Sequence, residues 1–136
     1  MPSSRNFAEE EFACKCCGVV KVSQALVDAL QKLRDLLGKP IIVTNAYRCP
    51  KHNKEEGGAV NSLHMRGTAA DITVEGMELD DLYRAVSKIP EFRNGGIGIY
   101  PQNNFIHVDL RSKKGRWLRL NGKYLPIPHD FLVDDD

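Results

Sequence analysis

Ser62-Leu63-His64-Met65-Arg66-Gly67-Thr68-Ala69-Ala70-Asp71-Ile72-Thr73-Val74 is the stretch on which the fold turns. From Ala69 onward the residues alternate: Ala70, Ile72 and Val74 face one way, Ala69, Asp71 and Thr73 the other, the period of a β-strand. A strand that buries the first set in a core must present Asp71 on its opposite face. Gly67 lies between His64 and Asp71, so the chain can turn there and bring an imidazole and a carboxylate to one point. Further along, Phe105 to Arg111 repeats the pattern, with Ile106, Val108 and Leu110 alternating with His107, Asp109 and Arg111. If the apolar face is core, a histidine, an aspartate and an arginine stand side by side on the other.

Upstream, Ser23 reads as an N-cap, and Leu26, Leu30, Leu33 and Leu37 recur as one apolar helical stripe that Gly38 and Pro40 terminate. Pro40-Ile41-Ile42-Val43-Thr44 is rich in β-branched residues and predicts a strand running to Tyr47, with Arg48 at its end. Residues 49 to 63, with Pro50, His52, Asn53, Gly57, Gly58, Asn61 and Ser62, have a turn-forming composition and are expected to be a long functional loop. Downstream, Glu78 to Ile89 is a second amphipathic helix, with acids in its first turn and Lys88 in its last, ended by Pro90. Gly95 to Pro101 is a glycine-spaced strand, and Gln102-Asn103-Asn104 turns into the strand beginning at Phe105. Asn121-Gly122 between two alternating runs signals a hairpin, within which Trp117 is assigned to the core or to hairpin pairing in preference to contact with a substrate. His129 is left outside the site. The elements predict an α+β fold with a small central antiparallel sheet and helices packed on one side.

At 136 residues and 42% hydrophobic content the chain fits one domain spanning 1–136, with a motif-bearing core of about 7–127 and a solvated tail at 128–136. Nineteen basic against 18 acidic residues leave a net charge of +1, so no overall field favours nucleic acid or an anionic membrane surface. No run approaches the roughly 18 apolar residues of a membrane span, and Met1 to Phe7 lacks the apolar centre of a secretory signal. A chain made in the cytoplasm, reaching its site of action by lysis, a holin or other export, is the expectation, and a monomer is expected. Cys14 and Cys17 have C-x-x-C spacing and Cys49 lies in Tyr47-Arg48-Cys49-Pro50. A structural metal held by Cys14, Cys16 or Cys17, and Cys49, a disulfide from the N-terminal segment to Cys49, and small buried side chains are the three readings.

His64, Asp71 and His107 together form the mixed nitrogen and oxygen set that a catalytic zinc takes when one coordination position is left for water. A zinc so held lowers the pKa of bound water from ~16 to about 7 and polarises a carbonyl, which is what amide hydrolysis at neutral pH requires. Asp109, two residues beyond His107 on the same face, is the nearest candidate for a general base. Its competing role is to orient a ligand histidine through the other ring nitrogen.

The combined pattern Ser62-x-His64-x-x-Gly67-x-Ala69-x-Asp71 and His107-x-Asp109, with Tyr47-Arg48-Cys49-Pro50-x-His52-Asn53 and Gly57-Gly58 upstream, resembles the zinc D-alanyl-D-alanine carboxypeptidase-like peptidases. That group also includes lysostaphin-type endopeptidases and the hedgehog signalling domain. The resemblance covers roughly residues 7 to 111. It implies zinc at His64, Asp71 and His107, and a substrate among the stem peptides or cross-links of bacterial peptidoglycan. It also implies recognition of a substrate carboxylate or carbonyl by Arg48, which suits a bidentate donor at a strand end. Ser62 and His52 are further candidates for substrate contact. Members occur as wall enzymes and as phage or prophage lysins. Some branches carry a glutamate three residues before the last zinc histidine, here Asn104, and others a histidine two before it, here Phe105, so this chain departs from both. The expected activity is a peptidoglycan carboxypeptidase or endopeptidase. The alternatives are a zinc-dependent cell-wall or peptide-binding module without catalysis, and a phage structural protein.

Overall fold

The computed structural model describes residues 3–55 and 62–127. Gly57, Gly58, Asn61, His129 and the 128–136 tail lie outside them, as do the side chains of His52 and Glu55. Six strands, β1 (Ile42–Asn45), β2 (Ala69–Thr73), β3 (Gly96–Tyr100), β4 (Phe105–Asp109), β5 (Gly115–Leu120) and β6 (Lys123–Leu125), form one sheet in the order β1-β2-β4-β3-β5-β6. The helices are α1 (Gln24–Leu37), α2 (Pro50–Glu55), α3 (Leu79–Val86) and α4 (Pro90–Arg93), with 3₁₀ turns at Glu9–Phe12 and Leu63–Arg66.

The alternation in β2 and β4 sorts one face of the sheet into core. Strand register aligns Val43, Ile72, Ile106, Ile99, Leu118 and Leu125 in a row across the sheet. Ile72, Ile106 and Ile99 at its centre are fully buried, beneath Leu26, Leu30 and Leu33 of α1, Leu82 and Val86 of α3, and Phe92 of α4. Burial of each such side chain contributes about 1.5–3 kcal/mol, so this layer is the main support of the fold. Ser23 caps α1 by accepting the Leu26 amide at 3.1 Å, and Gly38 ends it in the left-handed conformation with φ of 66°. Both limits match the sequence signals, and Leu37 packs at the edge of the core.

Three features differ from expectation. The sheet is mixed, because β5 runs parallel to β3 while every other pair is antiparallel. After β4 ends beside Gly96, residues 110–114 cross the end of β3, and Gly115 enters on its far side by donating its amide to Gly95 at 3.0 Å. Residues 49–63 are not one irregular loop: α2 occupies Pro50–Glu55, with proline at the position that needs no donor, and the 3₁₀ turn begins at Leu63. A six-residue helix is too short to display a periodic apolar stripe. Pro90, expected only as a helix stop, also opens α4. The N-terminal arm is anchored by buried Phe7 and Phe12, whose ring centroids are 6.1 Å apart, and the Tyr47 amide donates to the Phe12 carbonyl at 3.3 Å. The expected hairpin between β5 and β6 turns at Asn121-Gly122, with φ of 51° and 77°, the left-handed pair of a type I′ turn.

Candidate metal centre and its cleft

The face of the sheet opposite the core carries the chemistry. Register places Asn45, Asp71, His107, Gly98 and Trp117 in one row, and Ala69, Asp109, Gly96 and Gly115 in the next. His64 arrives from the 3₁₀ turn. Ser62 starts that turn by accepting the His64 amide at 3.2 Å, and Gly67 closes it at φ of 73° while the Gly67 carbonyl accepts the Ser23 amide at 2.9 Å. A Cβ at Gly67 would lie 2.3 Å from the Lys21 carbonyl oxygen, so only glycine fits between this turn and the segment that enters α1.

His64 Nε2 lies 3.3 Å from Asp71 Oδ1, and His107 Nδ1 lies 3.1 Å from the same oxygen. All three residues are buried, and the three donor atoms lie within 4.8 Å of one another. The remaining ring nitrogens are held from behind. His64 Nδ1 is 2.7 Å from the Ala46 carbonyl, which can only accept, so Nδ1 carries the proton and Nε2 keeps its lone pair. His107 Nε2 is 2.7 Å from Asp109 Oδ2, which by the same reasoning leaves Nδ1 as an acceptor toward the cleft. Three lone pairs thus converge where a cation would satisfy them all, and the donor set fits a divalent ion such as zinc. A proton can occupy the same place. Burial opposes ionisation of Asp71, but hydrogen bonds from His107 and His64, when these rings carry a second proton, outweigh it and hold the carboxyl well below its usual range. Burial likewise opposes charging of His107, and the carboxylates of Asp109 and Asp71 outweigh it and raise its pKa.

Asp109, expected as a base or an orienting partner, is fully buried and does not line the cleft. Oδ1 accepts the Gly96 amide at 2.9 Å, the Arg111 amide at 3.0 Å and Arg111 Nε at 2.9 Å. Oδ2 accepts His107 Nε2 at 2.7 Å and Arg111 Nη2 at 2.7 Å. Burial disfavours its charge, yet His107 and Arg111 hold the carboxyl far below the usual carboxylate range. Neither oxygen is left to take a proton from the cleft.

The cleft has a volume of ≈ 920 Å³, within the size range of ligand sites. Among the described residues, Arg48, Arg111, Arg119 and Lys15 line it against a single acid, Asp71. Arg48 Nη2 donates to Ser62 Oγ at 3.3 Å, while its buried Nε has no partner among the described residues. The Arg48 amide donates to the His64 carbonyl at 3.2 Å, tying the strand end to the metal-site turn. His52 lies in α2, its side chain outside the described atoms.

Trp117 belongs to this cleft and not to the core. Its ring centroid is 5.3 Å from that of His107, the Arg111 guanidinium stacks 4.7 Å over it, and its Nε1 donates to the Tyr100 hydroxyl at 3.1 Å. Gly98 makes room for it, since a Cβ there would sit 2.4 Å from the indole. Gly96 does the same for Asp109, whose carboxylate would lie 2.4 Å from an added Cβ. Sequence reading missed Tyr100, Arg119 and Tyr124, and ranked contact with a substrate second for Trp117. Their signal was the Gly96-Ile97-Gly98-Ile99 alternation, which spares one face of β3 for neighbours too bulky to share it.

A profile of the Peptidase M15 family matches residues 5–109. The chain belongs to the Peptidase M15 family. It is 35% identical over 98 residues to the peptidoglycan L,D-endopeptidase MepK of Escherichia coli (strain K12), a match covering 67% of this chain and 52% of that protein. It is 41% identical over 75 residues to the probable peptidoglycan L,D-endopeptidase MepK of Haemophilus influenzae, covering 53% of this chain and 37% of that protein. The chain therefore spans about half the length, or less, of these curated relatives. The family match takes in His64, Asp71, His107 and Asp109, and ends before the β5–β6 hairpin that brings Trp117, Arg119 and Tyr124 to the M15 cleft.

Proposed function

We propose that this chain is a zinc-dependent peptidase that hydrolyses a peptide bond in bacterial peptidoglycan, acting as an endopeptidase on a cross-link. The observation that carries the reading is the convergence of His64 Nε2, Asp71 Oδ1 and His107 Nδ1 at the floor of a cationic cleft. Zinc bound there supplies a Lewis acid and a water acidic enough to attack an amide near neutral pH. The chain's own residues do the rest. Asp109 and the Ala46 carbonyl hold the two imidazoles in the tautomers that leave a lone pair toward the cleft. Arg48, whose Nε has no partner among the described residues and whose Nη2 is steadied by Ser62, offers a donor to a substrate carboxylate or carbonyl. Trp117 and Tyr100 form an aromatic wall against which a peptide can align. An excess of arginine and lysine in the cleft suits an acidic peptide, and its lining draws on β1 at one side and on β5 and β6 at the other. A cleft lined from one side of the sheet to the other supports an endopeptidase over a carboxypeptidase, in keeping with the printed names of the relatives, with the cell wall as its site of action.

One observation favours the non-catalytic alternative, a zinc-dependent wall-binding module. Among the described residues Asp71 is the only carboxylate lining the cleft, and Asp109 is fully engaged behind it. Mass analysis of products from defined cross-linked and uncross-linked stem peptides, with and without chelator, decides the matter. Zinc-dependent cleavage of the cross-linked substrate is expected. Retention of the peptides on the protein without cleavage would overturn the enzyme reading.

A further inference from the structure

The four cysteines, which do not line the cleft, come together where Cys49 follows Arg48 in the chain. Cys14 and Cys16 Sγ are 3.8 Å apart and Cys16 and Cys49 Sγ 3.3 Å apart. The sulfurs of Cys14, Cys16, Cys17 and Cys49 all lie within 4.8 Å of one another. A tetrahedron of thiolates around zinc, with Zn–S of about 2.3 Å, has S···S edges of about 3.8 Å. The spacing is therefore that of a tetrathiolate cage, and no disulfide joins the four.

Local structure builds the cage from two pieces. The Cys14–Val20 segment folds back on itself, with the Cys14 amide donating to the Val19 carbonyl at 2.8 Å and the Gly18 amide to the Cys14 carbonyl at 2.8 Å. Gly18 has φ of 74°, and the turn gathers three sulfurs on one side. The fourth comes from Cys49 at the start of α2, whose amide points at Cys14 Sγ at 3.4 Å. An amide donating to sulfur favours the thiolate, the form that binds metal. Lys15, Arg48 and Lys51 flank the ligands in sequence and offset the negative charge of such a group.

We propose that Cys14, Cys16, Cys17 and Cys49 form a second metal site, a structural zinc tetrathiolate separate from the cleft. Four thiols bind one Zn²⁺ and release four protons, giving a group of net charge −2, with no oxidant consumed. The site clamps the N-terminal arm to the segment that carries Arg48. Through the Arg48 amide, which donates to the His64 carbonyl, it steadies the turn that carries His64. Lys15, between two of the ligands, is thereby held at the cleft. The proposal does not rest on the peptidase reading, because the sulfurs bind whether or not the cleft cuts.

The test is carried out on the whole chain. A His64→Ala/His107→Ala variant, which removes the cleft ligands and leaves the cysteines, is refolded with cobalt(II). The expected result is one cobalt per chain with an intense sulfur-to-cobalt charge-transfer band in the near ultraviolet, and about two metal ions per chain in the unmodified protein. In the zinc form, thiol reagent should react with the four cysteines slowly until a strong chelator is added, and then with all four. A variant that binds cobalt without the charge-transfer band, or a native chain lighter by two hydrogens with a disulfide, would overturn the proposal. Adding Cys16→Ser/Cys49→Ser to the cleft variant should abolish the charge-transfer band, and should that chain fail to fold, the cobalt spectrum of the cleft variant still decides. Absence of peptidoglycan cleavage by the unmodified protein, with an intact charge-transfer band in the cleft variant, would refute only the function proposed above.

Discussion

Replacing Asp109 by asparagine separates orientation from proton transfer with almost no change of shape. In the native protein Oδ1 takes three N–H donors, from the Gly96 amide, the Arg111 amide and Arg111 Nε, and Oδ2 takes His107 Nε2 and Arg111 Nη2. An asparagine keeps most of these by leaving its carbonyl at the Oδ1 position, which turns its amide NH₂ toward His107 Nε2 and Arg111. Nε2 must then accept, so the proton moves to Nδ1, the atom that faces Asp71 and the metal position. The variant thus opposes metal binding by a tautomer it must first reverse. Loss of such an orienting partner lowers metal affinity by roughly 10–100-fold, or about 1.4–2.8 kcal/mol. The Arg111 contact loses its charge as well, which costs about 1.5–3 kcal/mol of stability. Zinc affinity by competition with a chromogenic chelator, alongside urea unfolding of the metal-free protein, measures both. A folded Asp109→Asn with native zinc affinity and turnover reduced by about 10²-fold or more at saturating zinc would refute the orienting argument and return Asp109 to the role of base.

Gly98→Val puts carbon where the indole of Trp117 lies, 2.4 Å from an added Cβ. Overpacking of this kind costs about 1–3 kcal/mol, and tryptophan fluorescence should report a displaced ring together with weakened peptide binding; an unchanged emission spectrum would contradict the placement of Trp117. Gly67→Ala meets both a positive φ of 73° and the Lys21 carbonyl. It should destabilise by at least about 1–3 kcal/mol and weaken zinc binding through His64, so a native melting temperature would count against the turn geometry. The metal-free protein should be most stable at mildly acidic pH. Asp71 and Asp109 have lowered pKa values, so their stabilisation is present above about 4 and lost as pH falls through the folded values, whereas the raised His107 contributes below about 6.5 and its share is lost as pH rises through its folded value. Urea midpoints in chelator at pH 3, 5.5 and 8 test this, and a midpoint that rises steadily to pH 8 would contradict it.

How far these features could be read without coordinates follows from the range of the physics behind each. The strand faces were legible because side-chain direction alternates with every residue, so Ile72 against Asp71 and Val108 against His107 needed only local pattern. The candidate metal ligands followed, since a glycine turn joins His64 to Asp71 and one strand pairing joins Asp71 to His107. The mixed sheet was not legible. It depends on where 110–114 crosses β3, a long-range choice that leaves no periodic mark in those residues. Trp117 was misplaced for the same reason. Alternation put it opposite Leu118, but only the β3–β5 pairing sets Gly98 beside it and shows that the space left by glycine is filled by indole. Asp109 is the intermediate case: its face was evident, while its role waited on Gly96 and Arg111, which occupy both oxygens. A carboxylate that accepts from five donors has no oxygen turned to the cleft, and this count, more than the identity of the residue, argues for an orienting Asp109 in the proposed site and is what the Asp109→Asn variant tests.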